Sequence, residues 1–255
     1  MVSREGEHEG DLVRPYERVD DLQRSGLVII QNPVRFRFSV DAVLLSEFVS
    51  AREGDRVIDL GTGTGVIPLL VWARRRPAKL VGVEIMEDMA DMAWRSVRLN
   101  RLEQHISIVH DDLRNAPARF GLESFDVVTA NPPYMKAGAG VLPGEHNVGK
   151  SEAKHELACT LDDVVRTASA LLRSRGKLAM VHRPARLVDL VCAMRAAGLE
   201  PRRARFVQSR AKSSPVMVLV EAVKNVKPDL TILPTLNIYG DDGQYTEEMM
   251  RIYTE

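Results

Sequence analysis

At 255 residues with 45% hydrophobic content, the chain is long enough for one domain with a sizeable core, and no window reaches transmembrane length. Its 35 cations are matched by 35 acids, which excludes a uniformly basic nucleic-acid coat but not a local one. Cys159 and Cys192 lie far apart, outside any CxxC or His cluster, so disulfide and zinc frameworks have no support and both read as core residues, with no metal site expected.

Residues 1–10 are charged, lack the apolar segment that directs export, and are expected to form a disordered tail on a cytoplasmic protein. In the extension that follows, residues 11–40, the run Leu27-Val28-Ile29-Ile30 predicts a hairpin with Phe36-Arg37-Phe38 across Asn32-Pro33. Ser39 then caps a helix with Val40, Val43, Leu44 and Phe48 turned inward, and the main domain is expected over residues 41–255.

Arg56 to Leu60 is a β-branched run that breaks into Gly61-Thr62-Gly63-Thr64-Gly65 and then into a helical pattern of Val66, Ile67, Leu69, Leu70 and Ala73. Strand, glycine loop and helix in this order make a nucleotide-type site, because glycines remove Cβ atoms and let backbone touch a ligand. Arg74-Arg75-Arg76 are expected to cap the helix's carboxyl end. A second strand, Lys79 to Glu84, ends in an acid placed to take the two hydroxyls of a ribose. Met86, Met89, Ala90, Ala93 and Val97 recur at helical spacing and read as core. A third strand, Ile106 to His110, ends in Asp111-Asp112-Leu113, where a carboxylate can meet an adenine amino group and Leu113 can flank the ring.

The fourth strand, Phe125 to Ala130, runs into Asn131-Pro132-Pro133-Tyr134. A rigid polar turn at the carboxyl end of a strand is where open α/β sheets keep ligands. The Asn131 side-chain carbonyl and the Pro132 backbone carbonyl are acceptors, and the Tyr134 ring offers a face for stacking. The set suits a planar NH2 group: accepting both amino hydrogens draws the nitrogen lone pair out of conjugation and makes it nucleophilic. Residues 135–154, rich in Gly, Ala and charge, predict a long mobile loop beside this site. A helix resumes at Leu161, a strand runs from Lys177 to Val181, a helix from Pro184 to Ala197, and two strands span 203–209 and 216–223. Residues 201–227 hold seven cations, Arg203 and Arg205 among them, against one acid, Glu221, and so form a candidate phosphate footprint. The competing reading is a solvated face with strand-edge charges.

An acid-led D-x-G-x-G-x-G loop, a strand-end Glu, a strand-end Asp and NPPY, in that order, resemble the class I S-adenosylmethionine-dependent methyltransferases. The resemblance implies a Rossmann-like α/β fold, a seven-stranded, mostly parallel sheet with helices on both faces and a small N-terminal hairpin and helix extension. It also implies S-adenosyl-L-methionine as cofactor, held by Asp59, Gly61, Thr62, Gly63, Gly65, Glu84, Asp112, Leu113 and Asn131. Asn131, Pro132, Pro133 and Tyr134 would hold the methyl acceptor.

The flanks are more specific. Asp11-Leu12-Val13-Arg14-Pro15, Glu17 to Leu22, Gln31-Asn32-Pro33 and Phe38 to Leu45, together with the tail from Leu236 to Glu248, resemble the bacterial valine-tRNA adenine-N6 methyltransferases. That family methylates the adenine just 3′ of the anticodon, which makes tRNA the expected partner, and it would place Phe38 and Asp41 near the pocket. One departure is Ser39-Val40, where a Phe-Gly pair is expected. NPPY also serves enzymes that methylate a release-factor glutamine, another planar NH2. DNA adenine methylation and a non-catalytic RNA-binding role are the remaining alternatives.

Overall fold

The computed structural model describes residues 12–33, 39–132 and 159–254. Its frame is a sheet in the order β5-β4-β3-β6-β7-β9-β8, formed by β3 (Arg56–Leu60), β4 (Lys79–Glu84), β5 (Ile106–His110), β6 (Phe125–Ala130), β7 (Leu172–His182), β8 (Leu199–Gln208) and β9 (Pro215–Lys224). Only β9 runs antiparallel among these seven, against both β7 and β8. Two dipeptide strands, β10 (Thr231–Ile232) and β11 (Leu236–Asn237), add to β8 in parallel and bring the sheet to nine.

Central strands of a parallel sheet are buried on both faces, which is why they read as near-continuous apolar runs. Their period of two distributes each run between two cores. Val57 and Val127 pack with α1 (Val40–Phe48) and α2 (Val66–Arg75) on one face; Ile58 and Val128 pack with α5 (Leu161–Leu171) and α6 (Leu187–Ala196) on the other. The C-terminal helix α7 (Glu247–Thr254) completes the first core with Met249 and Ile252. The chain winds outward from β3 through β4 and β5, then crosses back to β6 on the other side of β3, which creates a topological switch point between β3 and β6.

The N-terminal segment differs from expectation. The hairpin pairs β1 (Arg18–Asp21) with β2 (Val28–Gln31), in the register Arg18 to Gln31, and Phe36 to Phe38 lie outside the described residues. Its outer edge docks on α3 (Glu87–Leu99): the Val28 N–H donates to Asn100 Oδ1 at 2.9 Å and the Ile30 N–H to Ser96 Oγ at 2.9 Å. Beside it Arg95 and Glu17 form an ion pair at 2.6 Å with side chains only 6% and 1% exposed. Burial alone would raise the Glu17 carboxyl, but its bonds to Arg95 and to the Arg14 N–H hold it below the ordinary value.

Three further expectations are corrected. Arg76 closes α2 through its backbone N–H to the Trp72 carbonyl, whereas the Arg74 and Arg75 side chains reach away from the helix end. Arg74 binds the Glu47 carboxylate at 2.8 Å and the Ile252 carbonyl, and Arg75 binds the Glu47 carbonyl at 2.8 Å, so these cations tie α2 to α1 and α7. The strand predicted over 177–181 begins at Leu172, because a bulge between the pairs Phe125–Leu172 and Val127–Lys177 lets residues 173–176 loop out. Cys192 is exposed on α6 and Cys159 is half-buried, so the first is not a core residue. The tail at 1–10 and the loop at 135–154 lie outside the described residues. Among the described residues no helix is long and apolar enough to cross a membrane.

Candidate active site

The carboxyl ends of β3, β4, β5 and β6 meet along one rim. At the end of β3 the chain enters the glycine loop with Gly61 at φ +74° and Gly65 at φ +87°, left-handed values that non-glycine residues reach only with strain. The N–H groups of Gly61 and Thr62 both donate to the Val83 carbonyl, at 2.9 and 3.0 Å, which stitches the loop to β4. A Cβ on Gly65 would sit 3.2 Å from that of Ala93, so the glycine also lets α2 and α3 approach. A Cβ on Gly61 would meet nothing, because this residue faces an open crevice. Gly82, in the middle of β4, serves the same loop from below: a Cβ there would collide with Thr62 at 2.8 Å.

Glu84, at the end of β4, is 7% exposed and fastens the loop further. One carboxylate oxygen accepts the Gly63 N–H at 2.8 Å and the other accepts the Met86 N–H at 2.9 Å. Burial raises the carboxyl above its ordinary value against the pull of these bonds. A carboxylate offers about four lone-pair sites, more than its backbone partners use, so Glu84 can hold the loop and a ligand hydroxyl together.

Asp59 lies beneath the loop with no exposed surface. One oxygen accepts the Thr129 hydroxyl at 2.6 Å, across the β3–β6 pair that sets these two residues side by side. Its other oxygen and the Thr62 hydroxyl are buried with no hydrogen-bond partner among the described residues. Burial pushes the Asp59 carboxyl up to about 6 against the opposing pull of the Thr129 and Thr62 hydroxyls, and the nearby Glu84 adds to the rise. Asp59 and Thr62 interact with each other without a well-formed hydrogen bond, so their buried oxygens under the glycine loop can still take an ordered water or a polar ligand.

At the end of β5, Asp112 caps a short 3-10 turn by accepting the Arg114 N–H at 2.9 Å and also pairs with the Arg114 guanidinium, which lowers its carboxyl below the ordinary range. Leu113 packs, half-buried, against the second core. Asn131 and Pro132 leave β6 beside Gly61, since Leu60 pairs with Ala130. Pro133 and Tyr134 lie outside the described residues, as does Phe38; Asp41 sits half-buried in the first turn of α1.

The structure therefore gathers Asp59, Gly61, Thr62, Gly63, Gly65, Glu84 and Asn131 at the switch point, with Asp112 and Leu113 two strands away from β3. It does not bring Arg203 and Arg205 there. Both sit in mid-strand on β8 and are spent on internal contacts. Arg203 binds Ser50 Oγ and the Phe48 carbonyl and lies 3.4 Å from Glu221, while Arg205 binds the Pro234 carbonyl at 2.9 Å and Glu248 at 2.6 Å. Arg202 and Lys224 are likewise paired, with Asp229 and Glu123. The expected footprint over 201–227 thus shrinks to Arg210 and Lys212 in their exposed turn and the exposed Lys227. Sequence reasoning missed Thr129 and Gly82. The first was visible as a hydroxyl inside an apolar run, in register with Asp59; the second had no signal beyond being a glycine in mid-strand.

Comparison with known proteins agrees with this geometry. The relatives include the tRNA1(Val) (adenine(37)-N6)-methyltransferase of Tolumonas auensis, 25% identical over 89% of this chain and 92% of its own length. The protein of the same name from Porphyromonas gingivalis is 26% identical over 88% and 89%. Among solved structures, protein Atu636 of Agrobacterium tumefaciens, described as a predicted O-methyltransferase, superposes with a TM-score of 0.67 at 25% identity and covers 84% of this chain and 95% of its own. TYW2 of M. jannaschii, solved with AdoMet, shares the fold with a TM-score of 0.57 at 13% identity, over 82% and 86% of the two chains. The sheet, with its antiparallel β9, is that of a class I methyltransferase. The family described as "Methyltransferase small domain" matches residues 39–190, which hold the glycine loop, Glu84, Asp112 and Asn131-Pro132, and the chain belongs to it.

Proposed function

We propose that this enzyme transfers a methyl group from S-adenosyl-L-methionine to the exocyclic N6 of an adenine in a tRNA, in the anticodon loop of a valine tRNA by likeness to its relatives. The observation that carries the reading is the juxtaposition of Asn131-Pro132 with the glycine loop across the β3–β6 switch point. It puts acceptors for a planar amine beside a crevice that suits a nucleoside-type methyl donor. The relatives' printed names supply the adenine and the tRNA.

When bound, the cofactor supplies a sulfonium methyl that is already activated. The protein's task is therefore orientation, which can contribute up to about 7–11 kcal/mol, and little acid–base chemistry is required. Glu84 takes the ribose hydroxyls on its remaining lone pairs. Asp59, Gly61, Thr62, Gly63 and Gly65 surround the amino-acid portion, and the unpaired oxygens of Asp59 and Thr62 fit a polar group or the water that binds it. Asp112 and Leu113 flank the adenine. The Asn131 and Pro132 carbonyls accept the amine's two hydrogens, Pro133 stiffens the turn and Tyr134 stacks the target base. A base in a loop leaves its neighbours at a cost of only a few kcal/mol. A division into a tail at 1–10, an extension at 11–40 and a catalytic domain at 41–255 belongs to the same reading, as does a cytoplasmic location.

Incubation with labelled cofactor and either bulk tRNA or a release-factor protein, followed by mass spectrometry, tests it. N6-methyladenosine in tRNA is the expected product. Methylated glutamine with unmodified tRNA would replace this reading by the protein-amide one.

A further inference from the structure

Past β6 the same rim continues over β7, β9 and β8 and ends at β11, four strand spacings or about 19 Å from Asn131 measured across the strands. There the chain folds into a tight hairpin on the end of β8. The Tyr239 N–H donates to the Ser209 carbonyl at 2.8 Å and the Gly240 N–H to the Gln244 carbonyl at 2.9 Å, and Tyr239 and Tyr245 pair across the turn. Their rings stack, with centroids 5.3 Å apart and an interplanar angle of 18°. Tyr245 in turn stacks on Tyr253 of α7 at 5.6 Å and 12°. The result is a column of three parallel rings whose inner end, Tyr253, packs against the first core. Its outer end, Tyr239, is 37% exposed and carries no further ring among the described residues.

The neighbouring charges are basic on the side facing Asn131. Arg210 and Lys212 stand exposed in the β8–β9 turn, which is held in shape by the Ser213 N–H donating to the Arg210 carbonyl at 2.9 Å and by the Ser209 hydroxyl donating to that of Ser213 at 3.0 Å. Arg210 leans on the hairpin: its guanidinium lies 3.7 Å from where a Cβ on Gly243 would be. The hairpin's own acids are Asp241 and Asp242, and the second accepts the Gln244 N–H at 3.0 Å. Aromatic faces interleaved with cations, on a rim that leads to the target amine, form the arrangement by which proteins hold unpaired nucleotides.

We propose that the outer face of Tyr239 is a stacking subsite for an unpaired base of the RNA acceptor, a few nucleotides from the target adenine, with Arg210 and Lys212 holding the intervening phosphates. The proposal rests on the RNA reading above and adds to it a second point of attachment. Burial pushes the phenol of Tyr253, the innermost ring, up to about 12. Any base can stack there, so this contact contributes affinity and register and leaves sequence choice to the pocket at Asn131.

The test uses a full-length tRNA carrying 2-aminopurine at each anticodon-loop position in turn, with the full-length enzyme. The wild type is expected to quench the probe at one position away from the target. Tyr239→Leu should abolish that quench and raise the RNA dissociation constant roughly 5- to 30-fold, Tyr239→Phe should keep both, and cofactor affinity should be the same in all three. Binding without quenching at any non-target position, or Tyr239→Leu binding as tightly as the wild type, overturns the subsite and leaves the RNA reading intact. A wild type that ignores the tRNA and methylates a glutamine peptide overturns both.

Discussion

The two halves of the rim are held in opposite ways. On the β3–β4–β5 half, nearly every polar group is tied to another element: Glu84 to Gly63 and Met86, the Gly61 and Thr62 amides to Val83, Asp59 to Thr129. On the β7–β9–β8 half, the groups that face outward are exposed side chains on two turns, Arg210, Lys212, Tyr239 and Tyr245. A small ligand of fixed shape rewards a site whose dipoles are set before it arrives. A large, flexible polymer is gripped by reach, charge and flat surfaces, with precision needed only where its one reacting atom sits. Asn131 lies at the boundary between the two regimes.

The largest expected effect comes from undercutting the rigid half. α3 backs the glycine loop through Met89 and Ala93, and Arg95 pins that helix to the N-terminal hairpin. Arg95→Met removes the ion-pair partner of the Glu17 carboxylate and leaves it only the Arg14 N–H, and chemical denaturation should show a loss of about 3 kcal/mol. If stability is unchanged, the rigidity of this half does not depend on the hairpin.

Acid titration separates the halves next. The Asp59 carboxyl is raised in the folded state, so the fold binds its proton more tightly than the unfolded chain does. Stability should then fall as pH rises from about 4 to about 6, by an amount on the order of 3 kcal/mol, and remain lower above that window. Asp59→Asn should flatten this component in denaturation curves. Glu17 acts in the opposite sense: its lowered carboxyl stabilises the fold above the ordinary Glu value, and the benefit is lost as pH falls through the folded-state value.

Ligand affinity sharpens the contrast further. Glu84→Ala removes charge-assisted hydrogen bonds and should weaken S-adenosylmethionine binding by about 1.5–3 kcal/mol. Calorimetry showing unchanged affinity would remove Glu84 from the cofactor's contacts. At the boundary, Asn131→Ala should lower kcat at least about tenfold, or 1.4 kcal/mol, and weaken cofactor binding by much less, because its side-chain carbonyl serves chiefly the acceptor. Normal turnover on the true substrate would rule that role out.

What could be read from the sequence follows the same division. The strands of the parallel sheet and the turns at their ends are local signals: β-branched runs, glycines needing positive φ and an Asn-Pro turn each declare themselves within a few residues. The first strand of the N-terminal hairpin did not, because Arg18-Val19-Asp20-Asp21 has no apolar alternation and is held by pairing with Val28–Gln31, which in turn docks on Ser96 and Asn100 of a distant helix. Arg203 and Arg205 misled for a related reason. A count of charges cannot see Ser50 or Glu248, which lie far away in sequence and close in space, and it registers Glu221 without its pairing to Arg203. Tyr239, Tyr245 and Tyr253 were visible only as parts of a familiar tail, and their stacking is a property of the folded turn.

Helix α2 has the glycine loop at its head and, through Arg74 on the Ile252 carbonyl, the tyrosine-bearing α7 at its foot. A strut fixed at both ends passes displacement along its length. Whatever the occupancy of one end does to affinity at the other must, by thermodynamic reciprocity, be returned in equal measure. A coupling carried by this strut would therefore be read as equal fold-changes in the donor and acceptor dissociation constants, each measured with the other ligand absent and saturating.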